Sequence, residues 1–388
     1  MNHARFLLVL LSVLLVNSVI VASAQENDGL TGTHVDRIST DNSGLVTRLA
    51  YYIASDEDGI QQVFQLVLDG DINASRQITR AVSDVLTYGI AYDGLAVAYI
   101  SDRHLWLQPV HTEEPESLAS INTDNIFGRP VFSQDGQYIA YTDNGVWLLD
   151  LGTRETRRLV QDVPLTEGAT NAEEFRIYSP ELFVLGNDGD AAWLVLDIGI
   201  WEWNSAGLYD LRAGELQMID DVLYTDLLPL YGGRALIYGN NALDGEPVLR
   251  AASDLNTIET FDEVLNFSGL IENVTLFADQ AVEIAPGTVR VFGSMFGAAW
   301  DFNGRFYFDY NLMEKSPIAV NMLPLPLSET GVVETGPLSP DGELVPIYLD
   351  TIWTETGSKS GQVVIMDVAT SEEVVTLEGT VSAFQWQP

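Results

Sequence analysis

After residue 44 the apolar positions come in short alternating or continuous blocks, and helical periodicity is almost absent. The blocks are rich in Val, Ile, Leu, Tyr and Trp and stop at Gly, Asp, Asn or Pro, the pattern of strands separated by tight turns. One unit recurs. Tyr92-Asp-Gly-Leu-Ala-Val-Ala-Tyr-Ile-Ser101 leads to Trp106, and Gln134-Asp-Gly-Gln-Tyr-Ile-Ala-Tyr-Thr142 leads to Trp147. Ala98-Tyr99 and Ala140-Tyr141 are 42 positions apart, and Leu49-Ala50-Tyr51 fills the same slot upstream. A period near forty with several strands per repeat predicts a β-propeller.

Each repeat predicts four strands. The first ends at an Asp-Gly turn. The second, such as 95–101 or 138–142, is apolar enough to be covered on both faces. The third carries an aromatic residue, as in Val146-Trp-Leu-Leu-Asp150, and the fourth is polar, as in Arg157-Arg-Leu-Val160, which suits an outer edge. Third strands are predicted at 63–68, 104–110, 145–150, 207–211, 247–252, 305–310 and 362–368. Seven of them give seven blades; six blades with a large insertion is the alternative, because the pattern loosens between about 165 and 335. There, 175–203 is long and turns at Asp188-Gly-Asp190, and Ala285-Pro286-Gly287 replaces the Asp-Gly turn.

The ends are half repeats. Ala383 to Pro388 reads as the first strand of a unit with no turn after it, and Arg48 to Ser55 as a second strand with no first strand before it. The expectation is a ring in which Ala383–Trp386 pairs with Arg48–Ser55 and completes the first blade.

Residues 1–24 read as a cleaved export signal, with Arg5, an apolar run from Phe6 to Val16 and Ala22-Ser23-Ala24 as the cleavage site. Residues 25–43 read as a polar linker and 44–388 as the propeller domain. The chain has no cysteine, which rules out disulfides, thiol nucleophiles and iron–sulfur clusters. Export without cysteine points to a bacterial protein, periplasmic or extracellular. The net charge is −38, with only Lys315 and Lys359 among the lysines, so nucleic acid is a poor partner and anionic membrane surfaces are disfavoured. Solubility outside the cell, or a saline habitat, accounts for such acidity without any ligand.

Candidate chemistry is sparse. Asp56-Glu-Asp-Gly59 and Asp69-Gly-Asp71 could offer oxygen ligands to Ca²⁺, but they lack the spacing of a calcium loop and read first as hairpin turns. His34, His104 and His111 are scattered and form no zinc motif. Gly293-Ser-Met-Phe-Gly297 lacks the spacing of a nucleophile elbow, and Gly357-Ser-Lys-Ser-Gly361 is too short for a phosphate loop and reads as a hairpin loop. Trp193, Trp201, Trp203 and Tyr209 could form a sugar platform; alternation along a strand makes a buried aromatic ladder the first reading. Asn73, Asn266 and Asn273 stand in glycosylation sequons that matter only in a eukaryotic secretory pathway.

Phe132-Ser-Gln-Asp-Gly-Gln-Tyr-Ile-Ala-Tyr141 with Val146–Asp150, and Leu338-Ser-Pro-Asp-Gly342 with Val364–Asp367, resemble the WD40-like propeller repeats of the TolB type. Ser55–Gly59, Val63–Leu68 and Arg76-Gln-Ile-Thr79 match a third unit. The resemblance covers about 45–160 and 335–388. It implies an exported propeller that serves as an interaction module of the bacterial envelope. TolB itself carries an α/β domain before its propeller, and 25–43 is too short to be one, so its specific partners do not carry over. The expectation is a non-catalytic, protein-binding scaffold with no cofactor, no catalytic residue, no metal ligand and no binding residue assignable, monomeric, and without membrane insertion once cleaved. The alternative is a propeller enzyme or lectin acting on extracellular glycans through carboxylates at the central channel.

Overall fold

The computed structural model describes residues 48–387, apart from 70–71, 113, 124–125, 165–174, 187–188, 201–202, 219–224, 230–234, 241–246, 253–262, 265–274, 297–301, 315, 324–332 and 354–358. The predicted signal and linker, and Asn266 and Asn273, therefore lie outside the described residues. Among the described residues all 28 elements are strands. The chain opens with β1 (Arg48–Ser55), β2 (Gln61–Asp69) and β3 (Ile72–Gln77). Blade two is β4 (Thr87–Ile90), β5 (Ala96–Ser101), β6 (His104–Pro109) and β7 (Glu116–Ser120). Blade three is β8 (Val131–Phe132), β9 (Tyr138–Thr142), β10 (Gly145–Asp150) and β11 (Thr156–Gln161). Blade four is β12 (Ile177–Leu185), β13 (Ala191–Ile200), β14 (Trp203–Asp210) and β15 (Glu215–Met218). Blade five is β16 (Thr225–Pro229), β17 (Ala235–Asn240), β18 (Pro247–Ala252) and β19 (Glu263–Val264). Blade six is β20 (Thr275–Ala285), β21 (Thr288–Phe296), β22 (Phe302–Asn311) and β23 (Ser316–Leu323). Blade seven is β24 (Val333–Thr335), β25 (Leu344–Trp353), β26 (Lys359–Asp367) and β27 (Glu373–Thr376), and β28 (Val381–Trp386) closes the list in chain order.

β28 pairs with β1, in the register Ala50↔Trp386, Tyr51↔Gln385, Ile53↔Ser382 and Ala54↔Val381. β28 also pairs with β26 through Ser360↔Ser382 and Gly361↔Val381, so one eight-stranded sheet runs β24-β25-β26-β28-β1-β2-β3 with β27 on β26, and the far end of the chain bridges the first strands to the last. β28 touches more than its own blade. Trp386 Nε1 donates to the Pro337 carbonyl at 2.8 Å and the Phe384 N–H to Tyr348 Oη at 3.1 Å, both in blade seven. Tyr88 Oη, on blade two, donates to the Ala383 carbonyl at 2.6 Å. Trp386 is 1% exposed and sits in a core with Tyr52, Leu344, Ile365 and Phe384. At the same end of β1, the Arg48 guanidinium reaches Asp341 at 2.7 Å and also Glu343 on blade seven.

Second strands are covered on both faces, as their apolar runs predict. Ile139, Ala140 and Tyr141 follow one another and all are buried. Neighbouring blades press on both sides of β9, so alternation is lost. The fourth strand β11 exposes Thr156, Arg157 and Arg158, charges that suit an unpaired edge. Between inner strands the approach is close. A Cβ on Gly89 of β4 would stand 1.8 Å from the Pro130 carbonyl oxygen just before β8, so no larger residue fits there.

The repeat motif is explained by backbone groups. In Ser133-Gln-Asp-Gly136, Ser133 Oγ donates to Asp135 and accepts the Tyr138 N–H, while Asp135 accepts the Gln137 N–H. Ser339-Pro-Asp-Gly342 makes the same three bonds with Asp341, Leu344 and Glu343. In four blades the residue that ends the third strand also serves a turn. Asp150 accepts from Gly152 and Thr153, Asp210 from Arg212 and Ala213, Asn311 from Met313 and Glu314, and Asp367 from Ala369 and Thr370. These aspartates are turn architecture.

Two expectations are corrected. Gly357-Ser-Lys-Ser-Gly361 is not all loop: Lys359, Ser360 and Gly361 belong to β26, where Lys359 pairs with Trp353. Gly361 is there because a Cβ would meet the Leu349 carbonyl oxygen at 2.5 Å. The third strand of blade four starts at Trp203, four residues before the predicted Gly207, because β13 is long enough to pair with all of it.

Candidate functional site

The acidic turn at Asp56 is occupied with itself. Asp56 Oδ1 accepts the Asp58 and Ile60 N–H groups at 3.0 and 2.9 Å, which is a hairpin turn. Asp69 ends β2, and its partner turn 70–71 lies outside the described residues. Among the described residues no group of three or more His, Asp and Glu gathers as a metal site. His104 places Nδ1 2.8 Å from the Asp102 carbonyl and His111 is exposed on a turn; neither meets the other, and His34 lies outside the described residues. Tyr209 is buried in the core between blades three and four and Trp193 is half-buried on β13, whereas Trp201 lies outside the described residues. Asn73 is exposed on β3.

Polar groups from three blades do meet near the inner strands. Arg129, Glu181 and Gln385 line a cavity of about 30 Å³ with Gly89, Pro130 and Trp386. Arg129 Nη1 donates to Gln385 Oε1 at 2.9 Å, and Gln385 Nε2 donates to the Tyr88 carbonyl at 2.8 Å. A space of that size holds one or two waters and no sugar ring. Its polar groups knit β28 to blades two and three.

A second cluster lies between blades six and seven. Asp279 is the bulged residue of β20, between Ala278 and Gln280. Its carboxylate binds Arg305 of β22 at 2.6 Å and accepts from Ser294 of β21, which also receives a bond from Arg305. The other guanidinium nitrogen reaches Glu334 of β24 at 3.0 Å. Glu334 is 3.6 Å from Lys359 Nζ, which donates to the Thr335 carbonyl at 2.8 Å. Two acids and two bases thus cross the gap between two blades and sum to zero charge.

Burial shapes their protonation. Loss of water pushes the Asp279 carboxyl above its usual range, against the opposing pull of Arg305 and Ser294. Burial also holds the Lys359 ammonium below its usual range, opposed by Glu334. The acids are not sealed: the Asp279 and Glu334 side chains keep 22% and 30% of their exposure, while Arg305 keeps 9%. Perturbed groups of this kind mark sites in proteins, and they also occur in structural ion networks. Nothing in the sequence pattern points to this cluster. Its members come from five strands and follow no local spacing; only Ser294 and Lys359 lay in segments that sequence reasoning had weighed, for other chemistry.

The cluster lies at one end of the blades. Every blade reverses between its second and third strands at this end and between its first and second strands at the other. β9 and β10 hold 5 and 6 residues, but β25 and β26 hold 10 and 9. Both second strands start two residues after the glycine of their Asp-Gly turn, so the extra length all lies at the hairpin end. β13 and β21, with 10 and 9 residues, are extended the same way.

No family model matches the chain, and no curated protein matches it in sequence. Solved structures do match. One of two prolyl endopeptidases aligns over 87% of this chain and 50% of its own, at 12% identity and a TM-score of 0.53. TolB from Acinetobacter baumannii aligns over 88% of this chain and 67% of its own, at 15% identity and a TM-score of 0.46. Oligogalacturonate lyase from Vibrio parahaemolyticus aligns over 85% and 84%, at 13% identity and a TM-score of 0.49. The chain spans about half the length of the prolyl endopeptidase. These likenesses concern the fold. With the strand groups, the likeness to the prolyl endopeptidase shows this chain to have a β-propeller fold, and the sequence of its blades resembles TolB-type repeats.

Proposed function

We propose that this protein is an exported, non-catalytic propeller that binds another protein, as a monomer in the periplasm or outside a bacterial cell. Export rests on the leader-like first 24 residues, and a binding role on the general use of propeller loops as display surfaces. The observation that carries the reading is the matched charge of the inter-blade cluster. Asp279 and Glu334 both rest on Arg305, and Lys359 adds a second cation beside Glu334. Carboxylates engaged in this way hold two blades in fixed relation. They are poorly placed to act as a free acid and base on a glycosidic bond, which needs a pair facing an open cleft.

The test is retention from the native envelope or culture fraction on the immobilised protein, read by mass spectrometry. A saturable protein species supports the scaffold. Retained or hydrolysed glycan with no protein species overturns it in favour of a lectin or glycan-cleaving enzyme.

A further inference from the structure

We propose that the cavity between blades three and four, at the Asp-Gly turn end, binds the carboxylate of a compact ligand with an apolar body. Such a site does not depend on the protein-binding reading.

The cavity has a volume of about 160 Å³ and is walled by both blades. Its inner part is apolar, formed by buried Leu148 and Ala191 with half-buried Tyr138 and Leu211 beside them. Its exposed rim carries Arg157, Arg212 and Asp190. Two bonds across the gap set its width. Asp135 Oδ2 accepts the Ala191 N–H at 2.8 Å, and Arg157 Nη2 donates to the Leu211 carbonyl at 3.3 Å. The walls are thus in place before a ligand arrives, which lowers the cost of binding.

Both arginines are departures from the repeat. Arg157 pairs with Leu148, two residues before the aspartate that ends the third strand. The same position holds Gln217 in blade four and Val375 in blade seven. Arg212 lies two residues after Asp210, which accepts its N–H; Gly152 and Ala369 make the same bond to Asp150 and Asp367. Neither the strand nor the turn needs an arginine there. A chain with 18 basic residues against 56 acidic ones nevertheless places two in one cavity. Other arginines of blade three are engaged elsewhere: Arg154 pairs with Glu116 at 2.8 Å, and Arg158 lies over the Trp147 ring. Among the described residues Arg157 meets no carboxylate. Its planar fork of N–H groups matches a carboxylate, and one arm alone is given to Leu211.

The lining selects the ligand. Two guanidiniums and the Asp190 carboxylate leave one net positive charge, which suits a monoanion. The second charge of a phosphate monoester would be repelled by Asp190. A cavity of about 150 Å³ accepts a benzene ring, so a six-membered ring fits as the apolar body.

The test is a ligand-observed NMR titration of the purified protein at about 0.15 M salt, where diffuse attraction is largely screened. Benzoate is the probe. Benzamide, phenyl phosphate and a tripeptide ending in phenylalanine, with its C-terminus free or amidated, are compared with it. Arg157→Gln should weaken benzoate about tenfold, through loss of a charge-assisted pair of hydrogen bonds. Arg158→Gln, the same charge change one residue away, should change it less than about twofold. Arg212→Gln should also weaken benzoate, which keeps the site testable should Arg157→Gln fail to fold. No binding of benzoate, equal loss by Arg157→Gln and Arg158→Gln, or no loss by Arg157→Gln and Arg212→Gln overturns the site. Equal affinity for benzamide overturns the carboxylate, and tighter binding of phenyl phosphate overturns the monoanion. If the free tripeptide binds more tightly than benzoate and its amide does not bind, the carboxylate is that of a protein C-terminus. If benzoate binds more tightly, it is that of a free small acid.

Discussion

Blade three and blade seven use the same turn and differ at the opposite end. Ser133–Gly136 and Ser339–Gly342 form the same bonds atom for atom, yet β25 has twice the residues of β9. Blade six goes further. It drops the Asp-Gly turn for Pro286-Gly287 and caps it with Glu283, whose Oε1 accepts the Gly287 N–H at 2.7 Å. The turn end is where the repeat solves a backbone problem, and only a few residue types can do so. The hairpin end has no such constraint, so length, aromatic content and buried charge vary there. In a repeat fold, departures from the repeat are where an individual function has room to reside.

The largest expected effect cuts across both ends. Deleting residues 381–388 removes β28 and with it Trp386, Phe384 and the bonds to Pro337, Tyr348 and Tyr88. The loss of one buried Trp alone costs about 3–5 kcal/mol. The melting temperature should fall by more than about 10 °C, read by calorimetry. An unchanged melting temperature would mean that β28 does not hold the first blade to the last.

Next comes the hairpin end. Arg305→Met leaves Asp279 and Glu334 without their shared cation. Removing one partner of a fully buried pair costs about 3–5 kcal/mol; these acids keep part of their water, so about 2–3 kcal/mol is expected by denaturant unfolding. At the turn end the effect should be smaller and alike in both blades. Ser133→Ala and Ser339→Ala should each cost about 1–2 kcal/mol, because each removes a hydroxyl that serves two bonds. A large difference between the two would break the equivalence of blades three and seven.

The smallest effects are in pH, and the two ends should differ in sign. Burial opposes the Asp341 carboxylate, but Ser339, the Glu343 N–H and Arg48 together hold it below its usual range. Its contribution is present above the ordinary carboxylate range and is lost as pH falls through the depressed value. Asp341→Asn should therefore remove a loss of stability, below about 1 kcal/mol, on the acid side. Asp279 is raised, so its contribution is full below the ordinary range and is lost as pH rises through the raised value. Asp279→Asn should flatten stability in that higher window. Unfolding curves of both variants from acid to neutral pH check the signs.

The sequence made the repeat legible because its signals are local. Asp-Gly turns, the Ala-Tyr second strands and the aspartates that end β10, β14 and β26 all lie within a few residues of the groups they serve. The pairing of Ala383–Trp386 with Arg48–Ser55 was legible for a different reason: a strand without a partner stood at each end. The inter-blade cluster was not legible. Asp279 and Lys359 are eighty positions apart, and no periodicity links a bulge residue to a lysine in a Gly- and Ser-rich segment. That segment read as a loop from its composition, although Gly361 is a glycine for close strand approach and not for a turn.

The most direct test of the contrast between the two ends is amide hydrogen exchange of the whole protein beside its Arg305→Met variant. Protection should be lost at the hairpin-end residues 292–296, 302–306, 349–353 and 359–361, with the Asp-Gly turns around 133–138 and 339–344 unchanged. Loss confined to those turns, or spread equally over both ends, would contradict the account.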